Sequence, residues 1–187
     1  MKIDDNLTKF TPSNKRELSL MKTLEENEKN LELKESTLCK ELKLLDVKLC
    51  FDGVFTKKKI KPHQPVCRYY GTLLDLDEVN KKVGKRVNMY DVVFCDKTML
   101  DGSAFVPEFR KKWNTEQETW NFGPFLNDYR DNRNNCIITN NFWDPKRKKF
   151  FKVMMSTKTI SAGKELCWSY GSGYWENFEQ GRITGFK

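Results

Sequence analysis

From residue 46 to residue 175 the apolar residues come in short runs rich in β-branched and aromatic side chains, each closed by turn formers. Runs of that length and composition are strands rather than helices. Asp46 to Phe55, Ile60 to Leu74, Asn88 to Cys95, Met99 to Val106 and Phe150 to Met155 all read this way. Asp144 to Lys149 reads as the turn of a hairpin joining strands that end at Trp143 and begin at Phe150. Asp75 to Arg86 and Pro107 to Thr119 are charged and read as short helices or loops. The chain is therefore expected to be mainly β with short helices. Gly53, inside the first run, predicts a bulge, a turn or a close approach of backbone to a ligand.

The first 45 residues have another texture. Residues 1 to 14 are polar and interrupted by Pro12, as a tail would be. From Lys15 to about Leu45, Leu, Glu and Lys dominate, which predicts a helix preceding the β-rich part. Leu24, Leu31, Leu38 and Leu45 recur every seven residues, with Leu20, Leu42 and Leu49 beside them. Such a stripe is either a seam shared with a second chain, making a homodimer, or a face laid on the protein's own domain. Asn27, Lys34 and Glu35 interrupt the pattern that a coiled coil needs. The organisation expected is a tail and leucine-rich helix over 1–45 and a β-rich domain over 46–187, a length that suits one domain with an appendage.

The net charge of +8 favours nucleic acid, nucleosomes or acidic surfaces as partners. Its basic clusters are Lys57 to Lys61, Lys81 to Arg86, Arg110 to Lys112 and Lys146 to Lys149. The six cysteines stand 11 or more residues apart, without the spacing of a zinc site, so no metal is expected and they read as reduced, buried small hydrophobes. The N-terminus lacks a secretory pattern and no apolar run reaches about 18 residues, so an intracellular protein is expected.

Two stretches carry candidate chemistry. Residues 121 to 143 are crowded with Asn and Asp, which suits either a long loop built on Asx turns or a polar ligand cradle. Residues 165 to 175 place Trp168, Tyr170, Tyr174 and Trp175 within eight positions. Alone, these aromatics read as the core side of a strand end; together with a ligand they could form a dry wall with a phenol on it.

In order along the chain, Asp52-Gly53-Val54-Phe55, Tyr69-Tyr70-Gly71, Phe125-Leu126-Asn127-Asp128-Tyr129 with Asn135-Cys136, and Ile160-x-x-Gly163-Lys164-Glu165-Leu166 leading to Tyr170-Gly171 resemble the four motifs of the SET-domain protein lysine methyltransferases. The resemblance covers about Leu49 to Trp175. It implies a fold of several small sheets with a knot-like threading of the C-terminal segment. It also implies S-adenosylmethionine as cofactor, S-adenosylhomocysteine as product, a protein lysine, expected on histone, as substrate, and a nuclear or cytoplasmic location, while the basic clusters as a set are candidates to grip nucleosomal DNA. The zinc-binding cysteine clusters that flank many members are absent, so the chain is closer to compact viral or microbial forms.

By the same resemblance Tyr170 is the central catalytic hydroxyl and Tyr69 the second tyrosine. Asp52, Gly53, Val54, Phe55, Asn127, Asp128, Tyr170 and Trp175 bind the cofactor. Tyr69, Trp168 and Tyr174 line the substrate channel, with Trp168 where the family sets how many methyls are added. Tyr174, Trp175, Phe178 and Phe186 would fold over to complete the channel. The chain departs from the family at Phe51 (glycine expected), Arg68 and Thr72 (glutamates) and Asp128 (histidine). These departures leave open an inactive SET-like module that recruits chromatin or other partners.

Overall fold

The computed structural model describes residues 10–43, 51–75, 77, 87–88, 90–95, 98–116, 118–180 and 183–184. Helix α1 (Lys15–Glu28) opens with a capping box in which Asn14 and Glu17 satisfy each other's backbone N–H groups. Strand β1 (Leu31–Glu35) and helix α2 (Thr37–Lys43) follow, then β2 (Asp52–Thr56), β3 (Pro65–Asp75), β4 (Val87–Asn88), β5 (Asp91–Cys95) and β6 (Thr98–Asp101). A 3-10 turn leads into α3 (Val106–Glu116), and after a second 3-10 turn come β7 (Cys136–Asp144), β8 (Lys149–Ser156), β9 (Glu165–Leu166), α4 (Ser172–Glu179) and β10 (Ile183–Thr184). Among the described residues no helix is long and apolar enough to cross a membrane.

The strands form three small sheets. Five lie in the order β5-β6-β3-β8-β7, all antiparallel, three in the antiparallel order β1-β2-β9, and β10 pairs with β4 in parallel. The hairpin between β7 and β8 forms as expected, with Lys148 taking the left-handed conformation (φ 52°) in its turn. Met99 to Val106 does not remain one strand: β6 ends at Asp101, and Ser103 to Phe105 winds into α3, whose Phe109 and Trp113 enter the core. Asp46 to Cys50 lie outside the described residues, so the first expected strand is seen only as β2.

The leucine stripe is not one helix. Helix α1 ends at Glu28, the chain turns at Lys29-Asn30, and Leu31–Glu35 pairs with the whole of β2. Leu-Glu-Leu-Lys-Glu satisfies an alternating period as well as a helical one, and the open edge of β2 decides between them. Leu24 and Leu31 are fully buried in the protein's own core, not on an exposed seam. Leu45 and Leu49 lie outside the described residues.

Arg68, where the resemblance expects glutamate, is explained by the helix that precedes the domain. It lies on β3, and Glu28 at the end of α1 takes both its backbone N–H (2.8 Å) and its guanidinium. Glu25 adds a longer contact at 3.4 Å, and the guanidinium also lies 5.6 Å from the Phe151 ring centre. The charge has changed sign on the strand and been matched from outside it. Burial raises the Glu28 carboxyl from 4.5 to about 7, with Arg68 opposing that rise. The folded state thus binds this proton more tightly than the unfolded chain. The associated stability is complete below pH 4.5 and is lost as pH rises through about 7. Between those limits it amounts to about 3 kcal/mol at most. Comparing urea unfolding of the wild type with Glu28→Gln should show the wild type gaining on the variant as pH falls from 8 to 5; a difference independent of pH would refute the assignment.

Candidate active site

The site is built where the segment after β9 is gripped by the loop before β7. Trp168 donates its N–H to the Asn127 carbonyl (3.0 Å), while Asn135 and Cys136 donate theirs to the Cys167 carbonyl at 2.9 and 2.8 Å. Side chains reinforce the grip: the Asn135 amide donates to the Glu165 carbonyl (2.8 Å) and its oxygen accepts the Cys167 N–H (3.0 Å). Residues 165–168 therefore run between β2 on one side and residues 127 and 135–136 on the other. The Asn- and Asp-rich segment is thus neither a mere turn nor yet a ligand cradle: it first organises the last motif.

Tyr170 emerges from this grip. Its hydroxyl donates to the Leu126 carbonyl at 2.9 Å, one residue before Asn127, and its backbone N–H donates to Asp128 Oδ2 at 2.8 Å. Rings surround it: Trp168 at 5.3 Å, Tyr174 edge-on at 4.7 Å and Trp175 nearly parallel at 6.0 Å. Burial pushes the phenol well above its usual range, and nearby Tyr174, Asp128, Cys167 and Tyr90 add to the shift. It stays protonated at neutral pH and keeps its hydrogen on Leu126. What it offers to the site is oxygen lone pairs.

Tyr69 lies in the floor. It is buried in the cluster of Val92, Phe94, Leu100 and Phe150, on which Trp168 also packs, and its hydroxyl donates to the Tyr90 carbonyl (2.8 Å). Burial, with Tyr170 next, raises its phenol strongly. Tyr90, read from the sequence as part of a strand, precedes β5 and adds to the shifts of Tyr69, Tyr170 and Tyr174. It belongs to the same aromatic group, and nothing in Asn-Met-Tyr-Asp distinguished it from a strand residue.

Asp128, where the family's histidine is expected, is a junction. Besides the Tyr170 N–H it accepts the Trp175 indole N–H (2.9 Å), the Asn134 amide (2.8 Å) and the Arg130 N–H (2.7 Å). Burial tends to raise its carboxyl, and these hydrogen bonds outweigh that and hold it below the ordinary range. The Arg130 guanidinium lies 4.6 Å from the Trp175 ring centre and pairs with Glu179 of α4 at 3.2 Å. The C-terminal aromatics therefore do fold over Tyr170, except that Phe178 is exposed and Phe186 lies outside the described residues.

Glu165 is the residue that the motifs left without a role. Its buried carboxylate accepts five hydrogen bonds: Ser36 Oγ (2.7 Å) and Asn127 Nδ2 (2.9 Å) on Oε1, and Thr37 N (2.8 Å), Thr37 Oγ1 (2.5 Å) and Tyr129 OH (2.8 Å) on Oε2. Asn127 also donates to the Asp52 carbonyl at 3.1 Å. The glycine at position 53 is explained by this carboxylate: a Cβ there would stand 2.2 Å from Glu165 Oε1 and 3.2 Å from Ser36 Cα. Close approach to a side chain, not to a ligand, requires it. The Ser36-Thr37 pair, breaking a Leu, Glu and Lys run, was the only sign of the N-terminal segment's part.

Two open pockets flank these residues. One, of about 390 Å³, is lined by Asp128, Arg130, Asp131, Asn134, Ser169, Gly171, Ser172 and Trp175. The other, of about 330 Å³, is lined by Leu33, Phe51, Asp52, Arg110, Trp113 and Asn114. Asp52, Asn127, Asp128 and Trp175 thus border or join them, whereas Val54 and Phe55 lie mid-sheet, paired with β1 on one side and β9 on the other. Phe51 has its backbone fixed by Ser36 and Cys39, so the bulk at that position faces the second pocket.

A fixed phenol walled by rings, beside pockets with acidic, guanidinium and indole groups, is suited to hold an amine out of water and align it for transfer of a small group. The SET domain family profile matches residues 52–171, and the chain belongs to the SET-domain family of protein methyltransferases. Methyltransferases of this family typically use S-adenosylmethionine and act on protein. A search of curated proteins found no match.

Proposed function

We propose that the protein is a protein-lysine N-methyltransferase acting on histone, with a nuclear site of action. The observation that carries this reading is the Tyr170 hydroxyl, fixed by the Leu126 carbonyl beside Asn127 and enclosed by Trp168, Tyr174 and Trp175. The residues fit the cofactor. In the larger pocket the Trp175 indole suits a purine and the carboxylate of Asp128 a cationic sulfonium. Held there, S-adenosylmethionine would supply an electrophilic methyl group for a lysine amine, with S-adenosylhomocysteine as the leaving group.

The chain's own residues do the rest. Neutralising an ordinary lysine, pKa about 10.4, at pH 7 costs roughly 4–5 kcal/mol. The aromatic walls lower that cost by excluding the water that stabilises the ammonium, whose proton leaves to solvent. Tyr170, its hydrogen committed to Leu126, would offer its oxygen lone pairs to a bound amine. Tyr69 supports the floor, and Trp168, packed against both Tyr170 and the Tyr69 cluster, limits how many methyls the amine can carry. Titration calorimetry with S-adenosylmethionine, followed by mass spectrometry of separate histones incubated with it, tests the proposal. Binding and a 14-dalton gain on lysine are expected, that being about the mass of one added methylene. Absence of cofactor binding would leave the recruiting module as the better reading.

A further inference from the structure

The structure separates the basic clusters of the sequence. Arg110 pairs with Asp52 (3.0 Å), and Lys112 with Glu118 (3.4 Å) and Glu108 (3.9 Å). In the β7–β8 turn Arg147 pairs with Asp144 (3.4 Å), and the Lys149 ammonium lies 4.7 Å from the centre of the Phe105 ring. Residues 81–86 lie outside the described residues. Lys57, Lys58, Lys59 and Lys61 differ: all four are exposed, and among the described residues no ion pair joins them to a carboxylate.

Their loop does not stand alone. Ile60 and Ile160, both buried, exchange backbone hydrogen bonds of 2.9 Å, which lays residues 57–64 against residues 157–164. Thr56 donates to the Lys164 carbonyl (3.1 Å), His63 to the Ser156 carbonyl (2.9 Å), and the Ser156 hydroxyl to the Lys61 carbonyl (2.6 Å). The second loop adds exposed Lys164 and Lys158, the latter with its ammonium donating to the Asn132 carbonyl (2.6 Å), so six lysines converge from the two segments, five of them without a side-chain partner among the described residues, and neither loop contains Asp or Glu. The nearest strand contributes Glu32, already paired with Lys34 at 2.6 Å. A tightly stitched backbone holding lysines outward, none of them ion-paired among the described residues, is a preformed contact for an anion, because little loop ordering remains to oppose binding.

We propose that the paired loops 57–64 and 157–164 dock the phosphate backbone of double-stranded DNA. Duplex is favoured over single strands because neither loop carries Phe, Tyr or Trp, and one imidazole, His63, is too little of a stacking platform for a run of bases. A membrane is disfavoured because the loops' two isoleucines are buried and leave nothing apolar to insert. An acidic protein partner would call for apolar or aromatic anchors, which are missing here too. Lysine ammonium groups on phosphates position the protein without reading sequence. This surface stands independently of methyl transfer.

The test is fluorescence anisotropy of the full-length protein with a duplex of random sequence between 50 and 200 mM salt. Four to six phosphate contacts predict a log–log salt slope of about −4 to −5, at about 0.9 per contact. The triple variant K58Q/K59Q/K61Q should make the slope shallower by about 2.7. The control K146Q/K148Q, in the β7–β8 turn, should leave it unchanged. The proposal is overturned if the triple variant keeps the wild-type slope, if the control loses as much, or if phosphatidylserine vesicles or polyglutamate bind more tightly than duplex at equal salt. Normal DNA binding without any methyl transfer would retain the surface and remove the enzyme reading; the reverse result would do the opposite.

Discussion

Replacing Tyr170 by Phe is expected to lower kcat for lysine methylation at least about a hundredfold, the scale associated with losing one preorganised polar group at a reacting centre, while cofactor affinity changes little. The phenol's hydrogen is committed to Leu126, so the variant removes an oxygen from the reaction zone and leaves the ring among Trp168, Tyr174 and Trp175. The backbone bond from residue 170 to Asp128 does not depend on the hydroxyl and survives. One carbonyl loses a partner, a stability cost of about 1 kcal/mol. Single-turnover mass spectrometry reads the rate and calorimetry the cofactor affinity. A variant that keeps a tenth or more of the rate would remove Tyr170 from the chemistry; one that loses the cofactor as well would make it a binding residue instead.

Glu165→Ala is expected to leave little folded protein. Five donors converge on this carboxylate from Ser36, Thr37, Asn127 and Tyr129; the substitution leaves Asn127 its Asp52 carbonyl and the Thr37 and Tyr129 hydroxyls each other, but strips the Thr37 N–H and the Ser36 hydroxyl of their acceptor and breaks up the rest in a buried place. A buried unsatisfied donor costs about 1–3 kcal/mol, so even partial hydration leaves a loss on the order of 5 kcal/mol, comparable with the whole stability of a small domain. Glu165→Gln is the graded case. It retains an oxygen for Ser36 and Asn127 and lets the Thr37 and Tyr129 hydroxyls turn to accept the amide NH2, but sets that NH2 against the Thr37 N–H, costing about 1–3 kcal/mol. Gly53→Ala attacks the same centre from β2, since its Cβ would stand 2.2 Å from Glu165 Oε1. Urea unfolding followed by tryptophan fluorescence ranks the three. A Gln variant within about 0.5 kcal/mol of wild type would show that these bonds contribute little.

The hairpin of β7 and β8, the β-rich texture and the order of the motifs were legible because each rests on local pattern: alternation, turn formers, and glycines at fixed spacing. Tyr170, Asn127 and Gly53 were legible together for the same reason, and they do converge: Asn127 bridges Asp52 and Glu165, and the Leu126 carbonyl holds Tyr170. What local pattern could not reveal depends on distant partners. Leu31 to Glu35 suits a helix until β2 offers its edge. Arg68 looks like a lost glutamate until Glu28 arrives beneath it. Glu165 looks like a motif letter because its donors are scattered along the chain, and Tyr90 is marked only by the rings folded near it.

The Glu165 junction also bears on the order in which the protein can assemble. Its bond to Ser36 closes a span of 129 residues, and those to Asn127 and Tyr129 close spans of 38 and 36. Long loops must be closed before such contacts return any free energy, so the junction is expected among the later contacts to form. A chain emerging from the ribosome has Ser36, Gly53 and Asn127 in hand well before the carboxylate that joins them. Until residue 165 arrives the motifs are separate pieces, and the nascent protein has no site to act with.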